Sequence, residues 1–160
     1  MAETLGSLID KLSIKNIREY HLKEALKKKK NDSLKNKLKI LLKQKRCLLE
    51  EIDEFIREGI KGKRILRDEK LKLYNPPEFV GKIGKIDSLA KAISSLTMKN
   101  LELWHLEDEA RRQDVSLVYI GRIKRKIDRA NQQRNDLIDK VDELFAKMVK
   151  QRKSRRGSTL

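Results

Sequence analysis

The sequence predicts an all-α protein, a four-helix bundle made of two similar antiparallel helical hairpins. Three observations carry this. Charged residues make up 40% of the chain and aromatics only 4%, a balance that suits long helices rich in Lys, Glu and Leu. Apolar residues recur at spacings of three and four along four separate stretches. The two halves also repeat one another. L-S-I-K-N-I-R-E-Y-H-L-K-E-A-L from Leu12 matches L-T-M-K-N-L-E-L-W-H-L-E-D-E-A from Leu96, so Asn100, Trp104, His105 and Asp108 each follow Asn16, Tyr20, His21 and Glu24 by 84 positions.

The 160 residues read as a single helical domain, with hairpin 1 over residues 1–60, a connector over 61–86, hairpin 2 over 87–150 and a basic disordered tail over 151–160. The first helix is marked by Leu5, Ile9, Leu12 and Asn16. Asn31-Asp32-Ser33 interrupts it, and Asp32 or Ser33 suits the N-cap of the next helix. That second helix carries the seam Leu34, Leu38, Leu41, Lys45, Leu48, Ile52 and Phe55. The connector holds Gly62, Pro76, Pro77, Gly81 and Gly84, and only Arg64–Leu73 suits a short helix. Asp87-Ser88 caps a third helix with Leu89, Ile93, Leu96 and Asn100 in phase. After Asp114-Val115-Ser116 the fourth repeats the seam as Ile123, Ile127, Ala130, Arg134, Leu137, Val141, Leu144 and Met148. Between the second helices the offset widens to 89, as in Ile52/Val141 and Asp53/Asp142, which places about one extra turn near Arg111–Ser116.

The seams are broken by the same chemistry twice. Asn16 and Asn100 interrupt the first helices, Lys45 and Arg134 the second. A buried cation requires a counter-charge. Asp108 shares a ridge with Asn100 and Trp104 and is the expected partner of Arg134; Glu24 is its counterpart. Asn131, Arg134 and Asn135 share the facing surface. The candidate ligand-binding residues are therefore Asn100, Trp104, His105, Asp108, Asn131, Arg134 and Asn135, with Asn16, Tyr20, Glu24 and Lys45 as structural counterparts. The plainer reading makes a seam Asn a register device and an Arg–Asp pair a structural bridge. His21 and His105 read as surface or packing histidines, Tyr20 and Trp104 as core-edge aromatics.

No catalytic residue, metal or cofactor is assigned. Glu50-x-x-Asp53 matches Asp139-x-x-Asp142, and paired acids on facing helices can hold Mg²⁺ in a metal-dependent hydrolase. The apolar seam turns these acids outward, so a solvated face is the expected role.

The formal net charge of +16 makes polyanions the natural non-specific partners. The cations concentrate at Lys27, Lys28, Lys29 and Lys30, and at Lys147, Lys150, Arg152, Lys153, Arg155 and Arg156. No stacking aromatics are interleaved with them, which argues against sequence-specific nucleic-acid readout. The single cysteine, Cys47, excludes an intrachain disulfide. No apolar run reaches a membrane span and the N-terminus lacks a signal-peptide form, so a cytoplasmic protein is expected. A protein partner, a small anionic or sugar ligand, non-specific nucleic acid and a homodimer all remain open as binding modes.

The segments N-L-E-L-W-H-L-E-D-E-A-R-R and I-K-R-K-I-D-R-A-N-Q-Q-R-N-D-L-I-D-K-V-D, within residues 86–146, resemble the bacterial domain of unknown function 4254 family. The signature falls on Asn100, Trp104, His105, Glu107, Asp108, Arg125, Asp128, Asn131, Gln132, Arg134, Asn135 and Asp136. Residues 5–30, with G-S-L-I-D-K-L-S-I-K from Gly6, are more weakly similar to a second uncharacterised bacterial family, domain of unknown function 6165, in which Ser7 stands where a Glu is usual. The resemblance implies a small helical bacterial protein, associated with surface-polysaccharide glycosyl transfer; it supplies no reaction.

Overall fold

The computed structural model describes residues 3–29, 31–67 and 83–157. Four helices follow in order, α1 Leu5–Lys28, α2 Asp32–Lys61, α3 Leu89–Ala110 and α4 Leu117–Gly157. Each start is made by a side chain that accepts from backbone N–H groups the helix cannot satisfy itself. Thr4 caps α1 through Ser7, whose hydroxyl accepts in return from the Thr4 N–H at 2.9 Å. Ser7 thus does the work of a capping-box glutamate with a shorter side chain. Asn31 caps α2 through bonds to Ser33 N and Leu34 N, in place of the expected Asp32 or Ser33. Ser88 caps α3 as expected. Helix α2 ends on Gly62 at φ 76°, a left-handed conformation that favours glycine.

Helix α1 is the hub. It packs against α2, α3 and α4, whereas α2 packs chiefly on α1. Ser13 meets Asn100 and His21 meets Trp104, so α1 and α3 run parallel. Gly6 meets Asp142 and Asp10 meets Arg134, so α4 runs against α1; α2, which starts at Asp32 just after α1 ends and reaches Glu19 by Lys45, does the same. The principal core takes Leu5 and Leu8 from α1, Leu48, Ile52 and Phe55 from α2, Ala92 and Leu96 from α3, and Leu137, Val141, Phe145 and Val149 from α4. A satellite cluster of Leu103, Ile123, Ile127 and Ala130 belongs to α3 and α4 alone. Met148, expected on the α4 seam, points outward, while Ile138, Phe145 and Val149 face in. This second stripe exists because α4 must fill the space beside α1 and α2 as well as α3.

Beyond Gly62 the chain leaves the helix, so the described part of the expected Arg64–Leu73 helix, Arg64 to Arg67, is irregular; the remainder, with Pro76 and Pro77, lies outside the described residues. The Arg64 guanidinium sits 5.1 Å from the Phe55 ring centre and 2.6 Å from Glu58. At the other end, the expected disordered tail is a helical continuation of α4 to Gly157. Residues 147–156 hold no acid, and the side chains of Lys147, Lys150, Arg152, Lys153 and Arg155 are exposed.

The α3–α4 turn is held by charge. Arg112 donates to both Asp114 carboxylate oxygens, and Glu109 accepts from the Tyr119 hydroxyl at 2.8 Å. Arg112 draws the Asp114 carboxyl down to about 2, and Tyr119, then Arg112, holds Glu109 below its usual range. Across the other hairpin, Glu19 bridges Lys23 at 2.6 Å and Lys45 at 2.7 Å. Those two ammonium groups, Lys23 first, lower the Glu19 carboxyl.

A Cβ on Gly6 would collide with the Ile138 carbonyl oxygen, whereas one on Gly121 meets nothing within 4 Å. Gly6→Ala should therefore cost about 1–3 kcal/mol in urea unfolding, while Gly121→Ala, in an open helical position, should add about 0.5–1 kcal/mol. A carboxyl whose folded pKa lies below its unfolded one stabilises fully above the unfolded value, and loses that contribution as pH falls through the folded value. Amide protection relative to the unfolded chain in the Glu19–Lys45 region should fall below about pH 4, and Lys45→Met should flatten that response.

Candidate functional site

The polar residues that interrupt the seams do meet, but not as the repeat suggests. Asn100 is 5% exposed and lies one turn from both Leu96 and Leu103. Its side-chain amide donates to Asp10 Oδ1 at 2.8 Å and to Ser13 Oγ at 2.5 Å. Arg134 grips the same carboxylate with two donors, Nε to Oδ1 at 2.9 Å and Nη2 to Oδ2 at 2.8 Å. Its remaining Nη1 reaches Asn131 Oδ1 at 3.5 Å. The Asp10 side chain is 7% exposed and that of Arg134 29%. A fork-to-fork pair of this kind is among the stronger hydrogen-bonded ion pairs, and Asn100 takes one of the lone pairs that Arg134 leaves free.

The counter-charge of Arg134 is therefore Asp10 on α1. Asp108, the expected partner, is exposed and pairs with Arg111 at 3.1 Å. It sits two turns beyond Asn100, whereas α1 crosses α3 at Asn100 itself. Glu24 likewise faces solvent and bonds Lys27, and Lys45 takes Glu19. Asn16 is exposed, so the first hairpin has no counterpart of the Asn100 site. Asn135 and His105 are exposed. Of the remaining signature residues, Gln132 donates to Asp136 at 3.1 Å and Glu107 lies 4.0 Å from Arg111, both along their own helices. Arg125 and Asp128 are exposed.

Asp10 and Ser13 are the members that seam reasoning missed. They sit at i and i+3, with Gly6 one turn before Asp10, inside the quoted G-S-L-I-D-K-L-S-I-K. Gly6 itself donates its N–H to Asp142 Oδ1 at 2.7 Å. One face of α1 thus presents Gly6, Asp10 and Ser13 to the α3–α4 hairpin, and only a residue without a side chain allows the approach at Gly6. Asp142 is 5% exposed rather than outward-facing. Glu50 and Asp53 are exposed on α2, which packs chiefly on α1. Among the described residues no group of three or more His, Cys, Asp or Glu is placed to hold a metal ion. The paired-acid hydrolase expected as an alternative therefore has no convergent site there.

Trp104 belongs to a different feature. Its ring stacks on His21 with centres 4.9 Å apart and planes at 6°, and Tyr20 meets His21 edge-on at 5.4 Å. Trp104 walls an open groove of about 500 Å³ between α1 and α2, lined by Arg18, His21, Leu22, Lys37, Ile40, Leu41 and Gln44. The floor is apolar and a cation stands on each bank. Of the polyanion-binding candidates, Lys27, Lys28 and Lys29 are exposed near this end of the hairpin, and Lys30 lies outside the described residues.

Arg134→Leu would leave Asp10 buried without its cation and should cost about 3–5 kcal/mol in equilibrium unfolding. Asp10→Leu in the same chain should recover much of that loss, because the uncompensated charge goes with it. Asp108→Asn should stay within about 0.5 kcal/mol.

No curated protein and no solved structure gives a match to this chain. One family model does, over residues 1–67 and 90–160, a wider span than the signature helices alone and one that includes Gly6, Asp10 and Ser13. With both hairpins inside that match, the chain belongs to the family described as Protein of unknown function (DUF4254).

Proposed function

We propose that this chain is a non-enzymatic binding protein, a helical scaffold that holds an anionic ligand or partner in the groove between α1 and α2. The observation that carries this reading is the make-up of that groove: an apolar floor of Leu22, Ile40 and Leu41, an aromatic wall of Trp104, and the cations Arg18 and Lys37. Such a surface suits a ring or hydrocarbon body carrying a carboxylate or phosphate. The interior cluster supports the same reading from the other side. Asp10, Ser13, Asn100 and Arg134 are engaged with one another, so they set helix positions instead of receiving a ligand. The ligand we propose is an acidic sugar chain, which has the required chemistry and would suit a role beside surface-polysaccharide glycosyl transfer.

A second reading, a nucleic-acid-associated protein, rests on the charge of the same end of the molecule. Residues 11–46 hold 14 basic and 3 acidic side chains, enough for salt-dependent association with any polyanion.

Trp104 is the only tryptophan, so its fluorescence reports on the groove directly. Titration with an oligogalacturonate should give a saturable change that a neutral dextran oligomer does not. Combined Arg18→Ala and Lys37→Ala should weaken it by about tenfold or more, since each removes one charge-assisted bond. A silent Trp104 with all ligands discards the groove. An RNA oligonucleotide that binds without Arg18 and Lys37 but requires Lys27, Lys28 and Lys29 favours the second reading.

A further inference from the structure

The outer side of α2 carries a pattern that neither the bundle nor the groove uses. Leu42 and Leu49 stand 40% and 43% exposed, seven residues apart and so on one face of the helix. Lys39, Arg46 and Asp53, all exposed, flank them at the same heptad spacing. The charge along α2 is divided. Residues 35–46 hold six cations and no acid; residues 50–58 hold five acids and one cation. This division opposes the helix macrodipole, which favours acids near the N-terminus and cations near the C-terminus. It is not a device for stabilising α2 by itself.

We propose that this face is an interface between two copies of the chain, with α2 packed antiparallel on α2 across a two-fold axis near Arg46. In that arrangement Leu42 of one copy lies against Leu49 of the other. Lys39 and Lys43 of one come opposite Asp53 and Glu50 of the other, and symmetry repeats every pair. A parallel arrangement would instead set Lys39 on Lys39 and Asp53 on Asp53. Charge division along one helix therefore selects both the partner, a second copy, and its direction. The leucines supply the burial, and the flanking ion pairs set register and orientation more than affinity. Arg46 falls beside the axis, where its long side chain can turn to Glu50 of the other copy one turn away. The groove and the exposed end of α1 stay clear of this contact.

The test is sedimentation of the full chain, with far-UV circular dichroism as the folding control. The wild-type protein should sediment at twice 18.8 kDa. Leu49→Glu should shift dissociation to at least about tenfold higher concentration with helicity unchanged. Lys39→Asp should weaken the dimer, and Asp53→Lys in the same chain should restore it, which no merely structural role for either residue would produce. Arg46→Cys in a Cys47→Ser background should form an intermolecular disulfide under mild oxidation. A chain that stays at 18.8 kDa up to about 100 μM, or a dimer indifferent to Leu49→Glu, overturns the proposal.

Discussion

The bundle depends on one buried ion pair. Asp10 on α1 is brought out of water and Arg134 on α4 partly so, a step that is costly for the carboxylate before their mutual attraction is counted. The structure offsets that cost with two parallel N–H···O bonds and a third from Asn100 to the same carboxylate. A hydrophobic layer of similar volume would give as much stability or more. What it would not give is register. Sliding α1 by one turn against the α3–α4 hairpin would strand a carboxylate, a guanidinium and an amide at once, whereas leucines would re-pack. The Gly6 N–H bond to Asp142 makes the same demand one turn further along.

This polar layer also marks a change in architecture. On one side of it lies the principal core, to which all four helices contribute. On the other, α3 and α4 close on each other around their own small cluster, and α1 pairs with α2. The two hairpins stay linked past the layer by the His21–Trp104 stack. That contact leaves room beside it, and the apolar residues of α1 and α2 with no third helix to cover them become the floor of the groove. The opening thus follows from the size of the shared core.

The position of α1 explains why the two halves have diverged. Packed on three neighbours, α1 must carry buried polar groups on one side and apolar groups on others. Helix α2, held chiefly by α1, retains a wide solvent face, where its divided charge and its two exposed leucines lie. Lys45 and Arg134 occupy matched positions and each bridges to a carboxylate on α1. Glu19 lies within its own hairpin, whereas Asp10 lies in the other. The same sequence feature therefore closes one hairpin internally and, in the second case, joins the two.

The sequence alone determined that four helices form, about where they break and the main apolar stripe of α2 and α3, because these follow from spacing, caps and propensity within a few turns of chain. On α1 and α4, which meet several neighbours, it missed the exposed Asn16 and Met148 and the buried Asp10, Ser13 and Phe145. It did mark Asn100 and Arg134 as interior. Sequence could not name Asp10 as their partner. The repeat places Ser94 at the position matching Asp10, so no internal symmetry pointed to it, and the choice depends on which helix occupies the centre of the bundle. The separation of Trp104 from the polar cluster was hidden for the same reason. Trp104 and Asn100 share a ridge one turn apart, and only the crossing of α1 sends one inward to Asp10 and the other toward His21. Periodicity fixes which face of a helix is turned in. The identity of the side chain it meets is set by helix order and crossing, which are properties of the assembled bundle.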